Sequence, residues 1–118
     1  MREIILYCFE SGRCPVEEFF DSLTEKQFEK AAFVLDLIEQ LDNVPSDYLK
    51  KLKGTDDLWE VRIRESSNIF RLLGFFDGNT FLILNHAFFK KSQKLPQKEI
   101  AVAQKRKQDY FQRKGEKI

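Results

Sequence analysis

The sequence predicts an α+β domain: a helical pair packed on an antiparallel β-sheet, made of an N-terminal strand plus a three-strand meander, with a C-terminal helix. Three observations carry that expectation. Apolar residues between positions 28 and 41 recur at helical spacing, those between 59 and 89 alternate or run on as in strands, and the short turns Glu65-Ser66-Ser67-Asn68 and Asp77-Gly78-Asn79 divide the latter into a meander. The 118 residues are 42% hydrophobic and 33% charged and include twelve Phe. That is one domain, residues 1–118, with too much aromatic content for a disordered chain.

Ile4–Phe9 reads as a short strand, closed by Glu10-Ser11-Gly12-Arg13. A helix opens at Cys14-Pro15, because proline is tolerated in the first turn and Glu17 and Glu18 suit the positive end of the helix dipole. It is expected to stop near Leu23. Thr24-Glu25-Lys26-Gln27 has the form of a capping box, and a second helix follows with Phe28, Ala31, Leu35 and Ile38 as its apolar stripe, widened by Val34, Leu37 and Leu41. It ends before Pro45.

The period then changes. Trp59, Val61 and Ile63 alternate with Glu60, Arg62 and Arg64, which places the apolar set on one sheet face and the charged set on the other. Glu65-Ser66-Ser67-Asn68 is a turn, Ile69–Phe76 a second strand, Asp77-Gly78-Asn79 a hairpin signal and Phe81–Phe89 a third strand. Pro96 can begin a last helix that carries Ile100, Ala103, Tyr110 and Phe111 inward. The expected order is β-αα-βββ-α.

Residues 1–49 carry four Lys/Arg against eleven Asp/Glu, whereas residues 50–118 carry sixteen against eight. A basic half of this kind points to an anionic partner, and nucleic acid is the usual one. No apolar run approaches the roughly 20 residues of a membrane span. The charged, briefly apolar N-terminus is too short for a signal-peptide core, so a cytoplasmic protein is expected. Cys8 and Cys14, with the lone His86 far downstream, do not have the spacing of a zinc site or a disulfide framework, and reduced thiols are expected. If the meander strands pair in order, Lys53, Arg62, Arg71, Lys90 and Lys91 converge on one positive face that suits a phosphodiester backbone.

Leu52-Lys53-Gly54, Leu58-Trp59-Glu60-Val61-Arg62, Phe70-Arg71-Leu72-Leu73 and the run His86-Ala87-Phe88-Phe89-Lys90-Lys91-Ser92-Gln93-Lys94-Leu95-Pro96 together resemble the RelE/ParE toxin superfamily. The closing run is similar to its phage-derived, HigB-like branch, and the resemblance spans about residues 1–112. It implies a RelE-like fold and a type II toxin: a ribosome-dependent mRNA endonuclease, free of metal and cofactor, in which a 2′-OH attacks the adjacent phosphate. It further implies a helix-turn-helix antitoxin, with which the toxin forms a heterotetramer. Arg62, Arg71, Lys90, Lys91 and His86 are then the candidate catalytic residues. Lys53, Arg64, Lys94, Lys98, Lys105 and Arg106 are candidate RNA or ribosome contacts.

The chain departs from the pattern in two places. The nearest tyrosine to the family's C-terminal site position is Tyr110, in the last helix, and Glu60 stands where some relatives carry a lysine. General acid and general base are therefore unassigned by the resemblance. A ParE-like toxin that inhibits DNA gyrase by protein binding, and an inactive relative that only binds antitoxin, remain as alternatives.

Overall fold

A computed structural model describes residues 2–91 and 94–116, the last of these without its side chain. The elements are β1 (Glu3–Leu6), α1 (Pro15–Asp21), α2 (Glu25–Gln40), β2 (Leu49–Lys51), β3 (Trp59–Glu65), β4 (Asn68–Asp77), β5 (Phe81–Phe89) and α3 (Gln97–Glu116). The α+β class, the helical pair, the meander and the C-terminal helix agree with the sequence reading. Two features correct it. The sheet has five strands in the order β1-β5-β4-β3-β2, and it is mixed, because β1 runs parallel to β5. β2 escaped notice because three residues, Leu-Lys-Lys, display no period; only Leu49, opposite Val61, is buried. Strand direction at the β1 edge is decided by where the helical pair returns the chain, which no local pattern encodes.

β1 also ends earlier than expected, at Leu6. Beyond it the chain turns back on itself, with the Phe9 N–H donating to the Arg13 carbonyl and the Gly12 N–H to the Phe9 carbonyl, Gly12 taking φ 96°. The turn brings the Cα atoms of Cys8 and Cys14 to 4.0 Å, and the two cysteines form a disulfide. The expectation of reduced thiols is corrected accordingly: six residues of separation become a short span only when this turn closes.

Cys14 is the N-cap of α1 with Pro15 in its first turn. At α2 both halves of the capping box form: the Gln27 N–H donates to the Thr24 hydroxyl, and the Thr24 N–H to the Gln27 side-chain oxygen. The buried stripe of α2 is Gln27, Ala31, Val34 and Ile38. It is rotated from the expected one, so Phe28 is 49% exposed and Leu41 40% exposed. Phe28 leans its edge on Phe20 at the helix flank, while the residues a turn apart at 31, 34 and 38 face β3.

The sheet lies between two helical layers. Val61, Ile63, Phe70, Leu72, Leu82 and Leu84 pack under α1 and α2, with Trp59 against them as a core residue. The opposite face is covered by α3 over part of its length: Leu58, Leu73 and Ala103 form one cluster there, and Tyr7, Phe75 and Ile83 another, joined by Tyr110. The β4–β5 register shifts at Leu73/Gly74. A Cβ on Gly74 would stand 2.2 Å from the Ile83 carbonyl oxygen, so this close approach admits only glycine. α3 is tied down at its C-terminal half, where Tyr110 donates to Asp77 (2.8 Å), Tyr7 to Asp109 (2.5 Å) and Arg113 to the Cys8 carbonyl (2.7 Å). No helix is long and apolar enough to cross a membrane among the described residues.

Candidate RNA-binding cleft

Register sets the site. On the α3 side of the sheet, Glu60 pairs with Leu73 and Leu73 with His86, and two residues along each strand Arg62 pairs with Arg71 and Arg71 with Phe88. Another two residues on, Arg64 pairs with Ile69, whose carbonyl receives the Lys90 N–H at 2.8 Å. Because side chains alternate, all of these project from one face. α3 seals the first row and leaves the next two open, so the cations stand at the uncovered end.

Two arginines directly opposite one another repel. Glu60 offsets this: its carboxylate lies 3.1 Å from the Arg71 guanidinium and 3.7 Å from that of Arg62. Glu60 and Arg71 are each only 3% exposed. The Arg71 Nε is the atom that makes the 3.1 Å contact, yet among the described residues neither it nor the Arg62 Nε forms an aligned hydrogen bond. A buried donor left in this state costs free energy until an acceptor arrives.

Arg71 lines a cleft of about 500 Å³ together with Phe19, Phe88, Phe89, Lys90, Lys91, Lys94, Pro96, Lys98 and Glu99. Its apolar wall is an aromatic stack, with Phe19 5.2 Å from Phe89 and 5.6 Å from Phe70 between ring centroids. Loss of solvent, followed by the charges of Arg71, Arg62 and Arg64, holds the Lys90 ammonium below the usual lysine range. Arg62 and Arg64 also border an adjoining hollow with Lys30, Asp47 and Tyr48. Ser92 and Gln93 of the basic motif lie outside the described residues.

His86 sits at the covered margin of the same face. Its Nε2 is 3.1 Å from a Glu99 oxygen, and the Arg106 guanidinium lies 3.3 Å from its Nδ1. Arg106 can only donate, so Nδ1 accepts and the proton resides on Nε2, aimed at Glu99. Burial holds the His86 pKa below its ordinary value, which keeps the ring neutral.

Seven of the eleven expected site residues thus gather at the open end: Arg62, Arg64, Arg71, Lys90, Lys91, Lys94 and Lys98. His86 borders it. The remaining three do not reach it. Lys53 is exposed in the loop between β2 and β3. Lys105 and Arg106 border a different hollow with Tyr7 and Phe9, where Arg106 covers the Phe9 ring and donates to the Asn85 carbonyl at 2.8 Å. They return to nearly the same side of α3 as Lys98 and Glu99 but stand about 10 Å further along the helix, which runs away from the cleft toward β1. Tyr110 bonds Asp77 at the far end of the sheet and takes no part in the cleft.

Glu99 is the residue that sequence reasoning missed. An acid in the first turn of a helix is ordinary, and only its contact with His86 and its place in the cleft distinguish it. Among the described residues no group of three or more His, Cys, Asp or Glu is placed to hold a metal ion.

Residues 18–108 match the family described as phage derived protein Gp49-like (DUF891). No curated protein matches the chain significantly. The match covers most of the chain, which therefore belongs to the Gp49-like family, a phage-derived family of toxins of the toxin–antitoxin type.

Proposed function

We propose, taking membership of the Gp49-like family as the premise, that this toxin is a ribosome-dependent mRNA endonuclease of the RelE/HigB type. The observation that carries the reading is Arg71: a guanidinium almost wholly buried, balanced by Glu60, without an aligned hydrogen bond from its Nε among the described residues, and lining a cleft ringed by lysines. A fixed cation in a low-dielectric wall stabilises charge that develops on a phosphorane far better than a solvated one does. Arg62 assists it across the strand pair. Lys90 and Lys91 face the leaving 5′-oxygen, and Lys94 and Lys98 hold the flanking phosphates. Phe88 and Phe89 offer ring surface on which bases stack.

The chemistry needs no metal in this reading. The 2′-OH attacks its neighbouring phosphate, and the side chains supply charge and proton transfer. The family implies an antitoxin partner. We take that partner to be a helix-turn-helix protein that covers or distorts the basic face in a heterotetramer, within the cytoplasm.

Primer-extension mapping of mRNA in cells that express the wild type or Arg71→Ala tests the reading. Cuts within translated frames are expected with the wild type, and the variant should lose about 10²–10³-fold of the cleavage. Growth arrest without cuts would reject the nuclease and move the target to a protein such as gyrase.

A further inference from the structure

We infer that Glu99 is the group that takes the proton from the attacking 2′-OH, and that His86 and Arg106 position it. The inference rests on the nuclease reading and deepens it. Among the described residues that line the cleft with Arg71 and Lys90, Glu99 is the sole carboxylate. It is held from behind: the His86 Nε2–H bonds one carboxylate oxygen at 3.1 Å, and the Arg106 guanidinium fixes the ring from its other nitrogen at 3.3 Å. Arg106 is itself anchored on the Asn85 carbonyl, and Phe88 lies against the His86 ring at 5.4 Å. One oxygen is therefore committed to His86, and the other is the one assigned to the 2′-OH proton.

The other carboxylate on this face cannot take the role. Glu60 is buried, with one carboxylate oxygen 3.1 Å from Arg71 and the other 3.7 Å from Arg62, so neither is presented to substrate. A lysine could serve only as its neutral amine, whereas a carboxylate is ionised at neutral pH.

The 2′-oxygen forms its bond to phosphorus as its proton passes to Glu99, and the bond from phosphorus to the 5′-oxygen breaks. The departing 5′-oxygen takes a proton from the Lys90 ammonium. The products are a 2′,3′-cyclic phosphate and a 5′-hydroxyl, after which solvent restores both side chains.

The test uses the full-length protein on ribosomes programmed with a defined mRNA. It follows kcat and KM against pH for the wild type, Glu99→Gln, Glu99→Ala and His86→Gln, with thermal melts of each. Glu99→Gln keeps an oxygen for the His86 N–H, so it should fold. Its kcat should fall about 10²–10⁴-fold with KM nearly unchanged. Formate should restore part of the Glu99→Ala rate and none of the rate lost in Arg71→Ala. His86→Gln should lower kcat more than it lowers Tm. A folded Glu99→Gln that cleaves at the wild-type rate, or an Ala variant deaf to formate, overturns the role of Glu99 while leaving the nuclease intact. A wild type that leaves mRNA uncut overturns both.

Discussion

The two ends of one sheet face make the instructive comparison. At the covered end, Phe75, Ile83, Leu73 and Leu58 lie fully buried beneath Ala103 and Tyr110 of α3. At the open end, the same strands present Arg62, Arg71, Arg64 and Lys90. Strand geometry, alternation and register are continuous between them. What differs is that α3 reaches one end only, so apolar side chains gain by burial there and charged ones keep a route to solvent or ligand here. Glu60 marks the border, a buried carboxylate that balances two arginines no helix covers.

Three measurements test that contrast. The largest effect is expected from Phe75→Ala, about 3–5 kcal/mol less stable in urea unfolding, because the pocket beneath α3 cannot collapse. Phe88→Ala, half-buried at the open end, should cost clearly less; equal costs would erase the distinction between the two ends. Next is the double variant Glu60→Leu/Arg71→Met. Removal of a buried ion pair as a unit should leave stability unchanged or raise it by about 1–4 kcal/mol, while single Glu60→Ala strands Arg71 and loses about 3–5 kcal/mol. A double variant as unstable as the single would make the pair a structural element instead of a charge held for function.

The smallest effect concerns pH. Burial lowers the His86 pKa, so the folded state favours the neutral ring. Its contribution is present in full above the ordinary histidine value of about 6.5, and it is lost as pH falls from there to the lowered value. Melts of wild type and His86→Gln between about pH 5 and 7.5 should show the shallower acid loss in the variant.

Much of the fold was legible in residue order. Pro15 after the N-cap, the Thr24–Gln27 box, the alternation from Trp59 and the Asp77-Gly78-Asn79 turn each act over a few residues, and each stands where local chemistry puts it. The stripe of α2 was displaced because Phe28 is apolar in type yet faces outward, and type alone does not say which way a helix rolls onto a sheet. In the cleft, Arg62 and Arg71 were legible because a cation in an apolar strand stands out. Glu99 was not, since thirteen residues separate it from the histidine that gives it meaning.

Residue order alone encodes the α+β class, the helix ends, the meander and the basic strand residues, all of them properties of spacing and side-chain chemistry over one or two turns of chain. Tertiary structure alone decided the parallel edge of β1, the Cys8–Cys14 bond, the path of α3 and the meeting of Glu99 with His86. Those depend on which distant segments return to the same place, and packing of the whole chain settles that only when every element has found its face.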